Sequence, residues 1–182
     1  MMTFNSTSLA GSFTINSDPI VDERGWFARV FCKKEFLTIG HQKEWVQMNH
    51  SFSLKKGTVR GLHFQKPPFT EIKMVRCIQG SVFDVIVDLR KYSPTYLKWF
   101  GTELSEENQT MMYIPEGFAH GFQTLSDNCG LLYMHTEFFT PQAESGLRYN
   151  DPLLNVTWPL PVSEISVRDN NHDFLDKNFK GL

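Results

Sequence analysis

The stretch Thr58–Val75, TVRGLHFQKPPFTEIKMV, sets the fold. It holds two runs that alternate as strands do, joined by the turn-forming pair Pro67-Pro68. Into those runs the sequence places Arg60, His63, Gln65, Glu71 and Lys73. Charged side chains on a sheet are costly to bury, so this pair of strands is expected to face a cleft. Val59, Gly61, His63 and Gln65 share one parity and Thr58, Arg60, Leu62 and Phe64 the other, so a regular strand points Arg60 and His63 to opposite faces. Gly61 between them can host a bulge that turns both toward one cavity.

The same alternation recurs on either side. In WVQMNHSFS (45–53), Val46, Met48, His50 and Phe52 share one parity and Trp45, Gln47, Asn49 and Ser51 the other; if the first set fills the core, Gln47 and Asn49 share a face with hydrogen-bonding ends available for a ligand. In SVFDVIVDL (81–89), Phe83, Val85, Val87 and Leu89 form an apolar face. Asp84 stands opposite, between Val82 and Ile86, and is expected to pair with a buried cation such as Lys73. YIPEGFAHGFQTL (113–125) turns at Pro115 to Gly117 and then presents Phe118, His120 and Phe122 on one face. Gly117 and Gly121 leave room near that histidine for a ligand or another backbone. LLYMHTEFF (131–139) is a further strand and carries Tyr133. Earlier in the chain, Asp22 to Gly25 reads as a turn with Arg24 at its tip, and Lys33 to Leu37 as a short helix ended near Gly40.

At 182 residues the chain has the size of one domain, which buries roughly 70% of the surface its unfolded form exposes. Sixteen Phe, four Trp and five Tyr, set in short alternating runs broken by Gly, Pro, Asn and Asp, argue for an all-β sandwich or barrel with a few short helices. No linker composition and no repeat interrupts residues 1–182, so a single domain is expected. The net charge is −2 and no run of Lys or Arg is longer than a pair such as Lys33-Lys34 or Lys55-Lys56, so neither nucleic acid nor membrane is an expected partner. No apolar run approaches the roughly 20 residues that span a bilayer, and the first residues lack the pattern of a secretory signal; a cytoplasmic location is expected. Cys32, Cys77 and Cys129 are widely spaced and read as small buried hydrophobes.

Phosphate loops, G-x-G-x-x-G and G-x-S-x-G are absent. Histidines, a tyrosine, a lysine and carboxylates remain, a set suited to removing a proton beside a carbonyl while a cation or donor holds the enolate charge. A metal reading competes: His63, Glu71 and His120, with P-x-G-x-x-H at 115–120, resemble part of the metal pattern of cupin proteins, although Gln65 stands where the second histidine of an H-x-H pair belongs.

DERGWF (22–27), QMNHS (47–51), RGLHFQ (60–65), KMV (73–75), VFDVIVDLR (82–90), SPT (93–95), IPEGFAHGF (114–122), NDP (150–152) and WP (158–159) occur in one order and spacing. Together they resemble the dTDP-4-dehydrorhamnose 3,5-epimerase family over about residues 20–170. The resemblance implies a cupin-type jelly roll or β-barrel, a homodimer, no metal and no cofactor, and epimerisation of a nucleotide-linked 4-keto-6-deoxy sugar. By position it implies His63 as base, Asp169 as the carboxylate that orients it, Lys73 as enolate stabiliser and Tyr133 as the acid on the opposite face. It further implies substrate binding by Arg24, Phe27 and Arg60, and also by Gln47, Asn49, His120, Glu144 and Arg168. The chain departs from the family pattern at Arg29, at Glu71 in Q-x-K, at Phe139 in the tyrosine pair, and at Arg168 in the terminal K-D. A C3-only epimerase and a metal-dependent oxygenase or isomerase are the alternatives.

Overall fold

The computed structural model describes residues 1–182. Its elements in chain order are β1 (Met2–Ser6), β2 (Phe13–Ser17), β3 (Ile20–Asp22), β4 (Gly25–Phe27), α1 (Lys33–Phe36), β5 (Gln47–Ser53), β6 (Thr58–Gln65), β7 (Lys73–Gln79) and β8 (Ser81–Asp88), and then β9 (Trp99–Ser105), β10 (Met111–Ile114), β11 (Phe118–Thr124), β12 (Cys129–His135), β13 (Glu144–Gly146), β14 (Glu164–Ile165) and α2 (Val167–Asn170). One sheet runs β1-β2-β10-β7-β12-β5 and the other β13-β6-β11-β8-β9, with β14 added parallel to β6. The architecture is the all-β jelly roll with a few short helices.

Each sheet buries both faces over much of its area, which explains why β8 is apolar on both parities. Val82 and Ile86 join Val75, Cys77, Met112, Phe122 and Leu131 in the core between the sheets. Val85, Val87 and Leu89 point the other way and pack with Leu62, Leu147, Leu154 and Leu175, so the second half of the chain covers the outer face of that sheet. On the first sheet, Met74 and Met111 are covered by Phe36 of α1. Cys77 and Cys129 are fully buried, and burial pushes the Cys77 thiol up to about 12, leaving it a packing residue.

Two motifs prove to be scaffold. Asp88 is fully buried and its carboxylate accepts hydrogen bonds from Arg90, Ser93 and Thr95 (2.7, 2.5 and 2.6 Å to one oxygen), which ties the SPT turn to β8. Asp151 of NDP accepts from the main-chain N–H groups of Leu153, Leu154 and Leu175.

The edge strand β5 corrects one expectation. Met48 and Phe52 are 60% and 44% exposed, Val46 is 40% exposed and His50 is exposed too; none fills the core. β5 pairs only with β12, and it is the opposite parity, Gln47, Asn49 and Ser51, that faces inward.

β6 carries the bulge. His63 pairs with His120 and Arg60 with Phe122, so Gly61 and Leu62 occupy the space opposite one residue, Gly121. Gly61 sits at φ +126°, and a Cβ on it would stand 2.5 Å from Gly121 Cα. The bulge brings Arg60 and His63 to the same cavity. No helix is long and apolar enough to cross a membrane.

Candidate active site

The inward positions of β7 and β12 change from apolar to polar along the strands. Leu131 stands opposite Cys77, then Tyr133 opposite Val75, then His135 opposite Lys73. At the polar end the sheets enclose a cavity of about 310 Å³. Arg60, His63, Gln65, Glu71 and Lys73 of the Thr58–Val75 stretch all line it.

His63 enters from β6. Its Nε2 is 2.9 Å from Asp169 Oδ1, while Asp169 Oδ2 accepts the Gly61 main-chain N–H at 3.0 Å. Asp169 lies in the first turn of α2, where its own N–H donates to the Ser166 side chain, and is only 2% exposed. Burial alone would raise this carboxyl; hydrogen bonds from His63, Gly61 and Arg168, with the charge of His63, outweigh it and hold the group far below the ordinary carboxylate range. His63 Nε2 thus faces the ionised Asp169 at 2.9 Å, with the Arg168 guanidinium 3.2 Å away on the same side, and Nδ1 has no hydrogen-bond partner in the protein.

Tyr133 enters from β12, on the facing sheet, with its hydroxyl 2.8 Å from Ser51 Oγ. Burial raises this phenol above its usual range, against the hydrogen bond to Ser51, so it stays protonated and able to donate at neutral pH. Lys73 opens β7, and its Nζ lies 3.0 Å from Glu71 Oε1. Burial pushes Glu71 up, but its bonds to His135 and Lys73 bring it below the usual value.

Asp84 does not meet Lys73. It accepts from His120 Nε2 at 2.7 Å. β8 and β11 are neighbours whose inward faces place these two side chains together, whereas Lys73 belongs to the other sheet and has Glu71. His120 still lines the cavity.

Glu144 and Arg168 form an ion pair at 2.8 Å on the cavity wall, and Arg168 also donates to Asp169 at 3.1 Å. Arg60 lies with Nε on Ser53 Oγ and NH2 on the Phe52 carbonyl, both at 3.0 Å. Gln47 and Asn49 face the cavity and are hydrogen-bonded to each other at 3.3 Å. Arg24 and Phe27 are not brought to this site. They belong to the exposed β3–β4 hairpin, which pairs with neither large sheet; Arg24 turns back onto Asp22, and Phe27 is 71% exposed.

The metal alternative loses its ligands to other partners. His63 is held by Asp169, Glu71 by Lys73 and His135, and His120 by Asp84. Gln65 fastens the loop at the cavity edge, donating to the carbonyls of Phe69 and Phe138 and accepting from the Thr140 N–H. His63, Asp169 and His172 do converge within 4.8 Å. There the Arg168 guanidinium already stands 3.1 Å from Asp169 and 3.2 Å from His63, a fixed positive charge where a cation would sit.

Ser51, the last residue of QMNHS, and His135 line the cavity without having been assigned a role. Strand parity could have found both: Ser51 follows Gln47 and Asn49 on one face, and His135 lies two residues after Tyr133.

The model of the dTDP-4-dehydrorhamnose 3,5-epimerase family matches residues 6–177. A dTDP-4-dehydrorhamnose 3,5-epimerase of Methanothermobacter thermautotrophicus is 44% identical over 178 residues, 96% of this chain and 95% of that one. Among solved structures, the Bacillus anthracis dTDP-4-dehydrorhamnose 3,5-epimerase with TDP and PPi bound is 37% identical with a TM-score of 0.93, covering 96% of this chain and 100% of that one. A Legionella pneumophila dTDP-6-deoxy-D-glucose-3,5-epimerase in complex with dTDP-4-keto-L-rhamnose is 38% identical with a TM-score of 0.90, covering 96% of this chain and 93% of that one. The match spans nearly the whole chain and takes in β6, β7, β12 and α2, the elements that supply His63, Lys73, Tyr133 and Asp169. This chain belongs to the dTDP-4-dehydrorhamnose 3,5-epimerase family.

Proposed function

We propose that the protein epimerises a dTDP-linked 4-keto-6-deoxy sugar at C3 and C5, with His63 as base and Tyr133 as acid. One observation carries this reading: His63 and Tyr133 enter the same cavity from opposite sheets. Inversion requires a proton to leave one face of the carbon and another to arrive on the other, so base and acid must flank the sugar.

The C4 ketone acidifies the hydrogens at C3 and C5 alike. His63 Nδ1 takes the proton, and the C–H electron pair moves to the C4 oxygen as an enolate. Lys73 offers its ammonium to that oxygen. The enolate then collapses toward Tyr133, whose hydroxyl gives its proton to the opposite face; the phenolate, held by Ser51, regains a proton from solvent and the His63 imidazolium returns one to it, which frees the base for the second carbon. Asp169 keeps the imidazole oriented throughout and favours its protonated form. Arg60 and Arg168, on the cavity wall, have the charge and geometry to meet the diphosphate.

The protein works as a homodimer in this reading. Support comes from uncovered apolar surface: the outer face of β5 with Met48 and Phe52, Val46 just before it, and the hairpin residues Ile20, Val21, Trp26 and Phe27. A partner subunit that covers the hairpin gives Arg24 and Phe27 a route to substrate that their own chain does not.

Incubation with dTDP-4-keto-6-deoxyglucose in heavy water tests the reaction. Deuterium is expected at both C3 and C5; incorporation at C3 alone identifies a C3-only epimerase, and no incorporation at either carbon rules out this substrate.

A further inference from the structure

His135 stands between two strands, opposite Lys73 of β7 on one side and Gln47 of β5 on the other. Its Nδ1 is 2.7 Å from Glu71 Oε2, and its Nε2 is 3.3 Å from Asn49 Nδ2. Asn49 Oδ1 accepts from Gln47 Nε2 at 3.3 Å, and Gln47 Oε1 accepts the Phe139 main-chain N–H at 3.0 Å. Glu71 ends the chain with its other oxygen, Oε1, on Lys73 Nζ at 3.0 Å.

The polarity of this chain is forced from one end. A main-chain N–H can only donate, so the Gln47 atom facing Phe139 is its oxygen and the amide nitrogen points to Asn49. Asn49 must therefore accept there and present its own NH₂ to His135. His135 accepts at Nε2 and carries its proton on Nδ1, aimed at Glu71. One carboxylate oxygen is then occupied by a fixed donor, and the other is left for Lys73.

We infer that Glu71 and His135 are positioning residues for Lys73, the terminal links of a hydrogen-bond chain that runs from the Phe139 main chain through Gln47 and Asn49 across β5, β12 and β7. The chain gives Glu71 a purpose that no motif supplied. With both oxygens engaged and only 9% of its side chain exposed, the carboxylate cannot swing, and it fixes the ammonium at one point on the cavity wall. It also ties Gln47 and Asn49 to the placement of Lys73, so these two act on the reaction as well as on binding. The kinetic part rests on the epimerase reading above; the tautomer of His135 does not.

The imidazole nitrogen spectrum of the free protein, with His135 assigned by its loss in His135→Asn, tests the chain without substrate. The Nδ1–H tautomer is expected, and an Nε2–H tautomer overturns the inference. With substrate, Glu71→Leu is expected to lower kcat at least tenfold with KM changed less than about threefold, because Lys73 is displaced from the enolate oxygen but not from binding. His135→Asn, whose amide reaches the place of Nδ1–H, is expected to retain most of the kcat that His135→Leu loses. Unchanged kcat in Glu71→Leu, or a loss confined to KM, overturns the positioning role. Where Glu71→Leu fails to fold, the His135 pair decides: equal kcat in Asn and Leu contradicts the inference. A wild-type protein that does not turn over dTDP-4-keto-6-deoxyglucose refutes the reading of function, while the tautomer still decides the chain.

Discussion

Asp169 and His63 lie 106 residues apart in sequence and 2.9 Å apart in space. The same carboxylate takes the main-chain N–H of Gly61, two residues before His63, so it fixes the bulged backbone and the ring together. Asp169→Asn keeps the shape but can present its NH₂ to the ring and select the wrong tautomer. Turnover is expected to fall roughly 10²- to 10⁴-fold, measured as kcat on dTDP-4-keto-6-deoxyglucose.

The same pair predicts a pH effect on folding. The Asp169 carboxyl is depressed in the folded state, so its contribution to stability is complete above the unfolded value, about 3.9, and is lost as pH falls through the depressed folded value. Urea denaturation followed below about pH 4 is expected to show a shallower loss of stability in Asp169→Asn than in wild type. Parallel curves would mean that Asp169 does not titrate differently on folding.

Gly61 separates two causes of strain. Alanine there meets both a φ of +126° and a Cβ contact of 2.5 Å with Gly121 backbone. Gly25 has a nearly identical φ, +127°, with nothing within 4 Å. Gly61→Ala is expected to cost about 2–5 kcal/mol in urea denaturation, and Gly25→Ala about 1–2 kcal/mol. Equal losses would show that close approach contributes nothing.

Tyr133→Phe removes the hydroxyl and leaves the base in place. Wash-out of label from C3 of deuterated substrate is expected to continue within about tenfold of wild type, while formation of epimerised product falls on the order of 10²-fold. Product formation at the wild-type rate would remove Tyr133 from the role of acid.

The exposed face of β5 bears on assembly. Light scattering is expected to give twice the mass of one chain for wild type, and a single-chain mass for Met48→Glu combined with Phe52→Glu. A monomeric wild-type protein would leave that apolar face without its proposed cover.

Much of the fold was legible because strand parity and turn residues are local. The bulge was readable from Gly61 between Arg60 and His63, and the stop near Gly40 from that glycine, which takes up the left-handed conformation at the end of the 3-10 turn Leu37–Ile39 that follows α1. Side-chain partners were not legible, since they depend on sheet order. Asp84 has His120 because β8 neighbours β11, and Lys73 has Glu71 because β7 lies in the other sheet. That the apolar parity of β5 lies uncovered was hidden for a related reason: an alternating apolar set looks like core whether it meets the opposite sheet or lies exposed on an edge. Asp169 has no mark of function in its own segment, because nothing local distinguishes a carboxylate that α2 delivers behind a histidine on β6.

The most direct measurement is solvent exchange in His63→Ala. One base serving both carbons predicts that deuterium no longer enters C3 or C5 while the variant still binds dTDP. Exchange persisting at either carbon would show that a second base operates there and would contradict the assignment of His63.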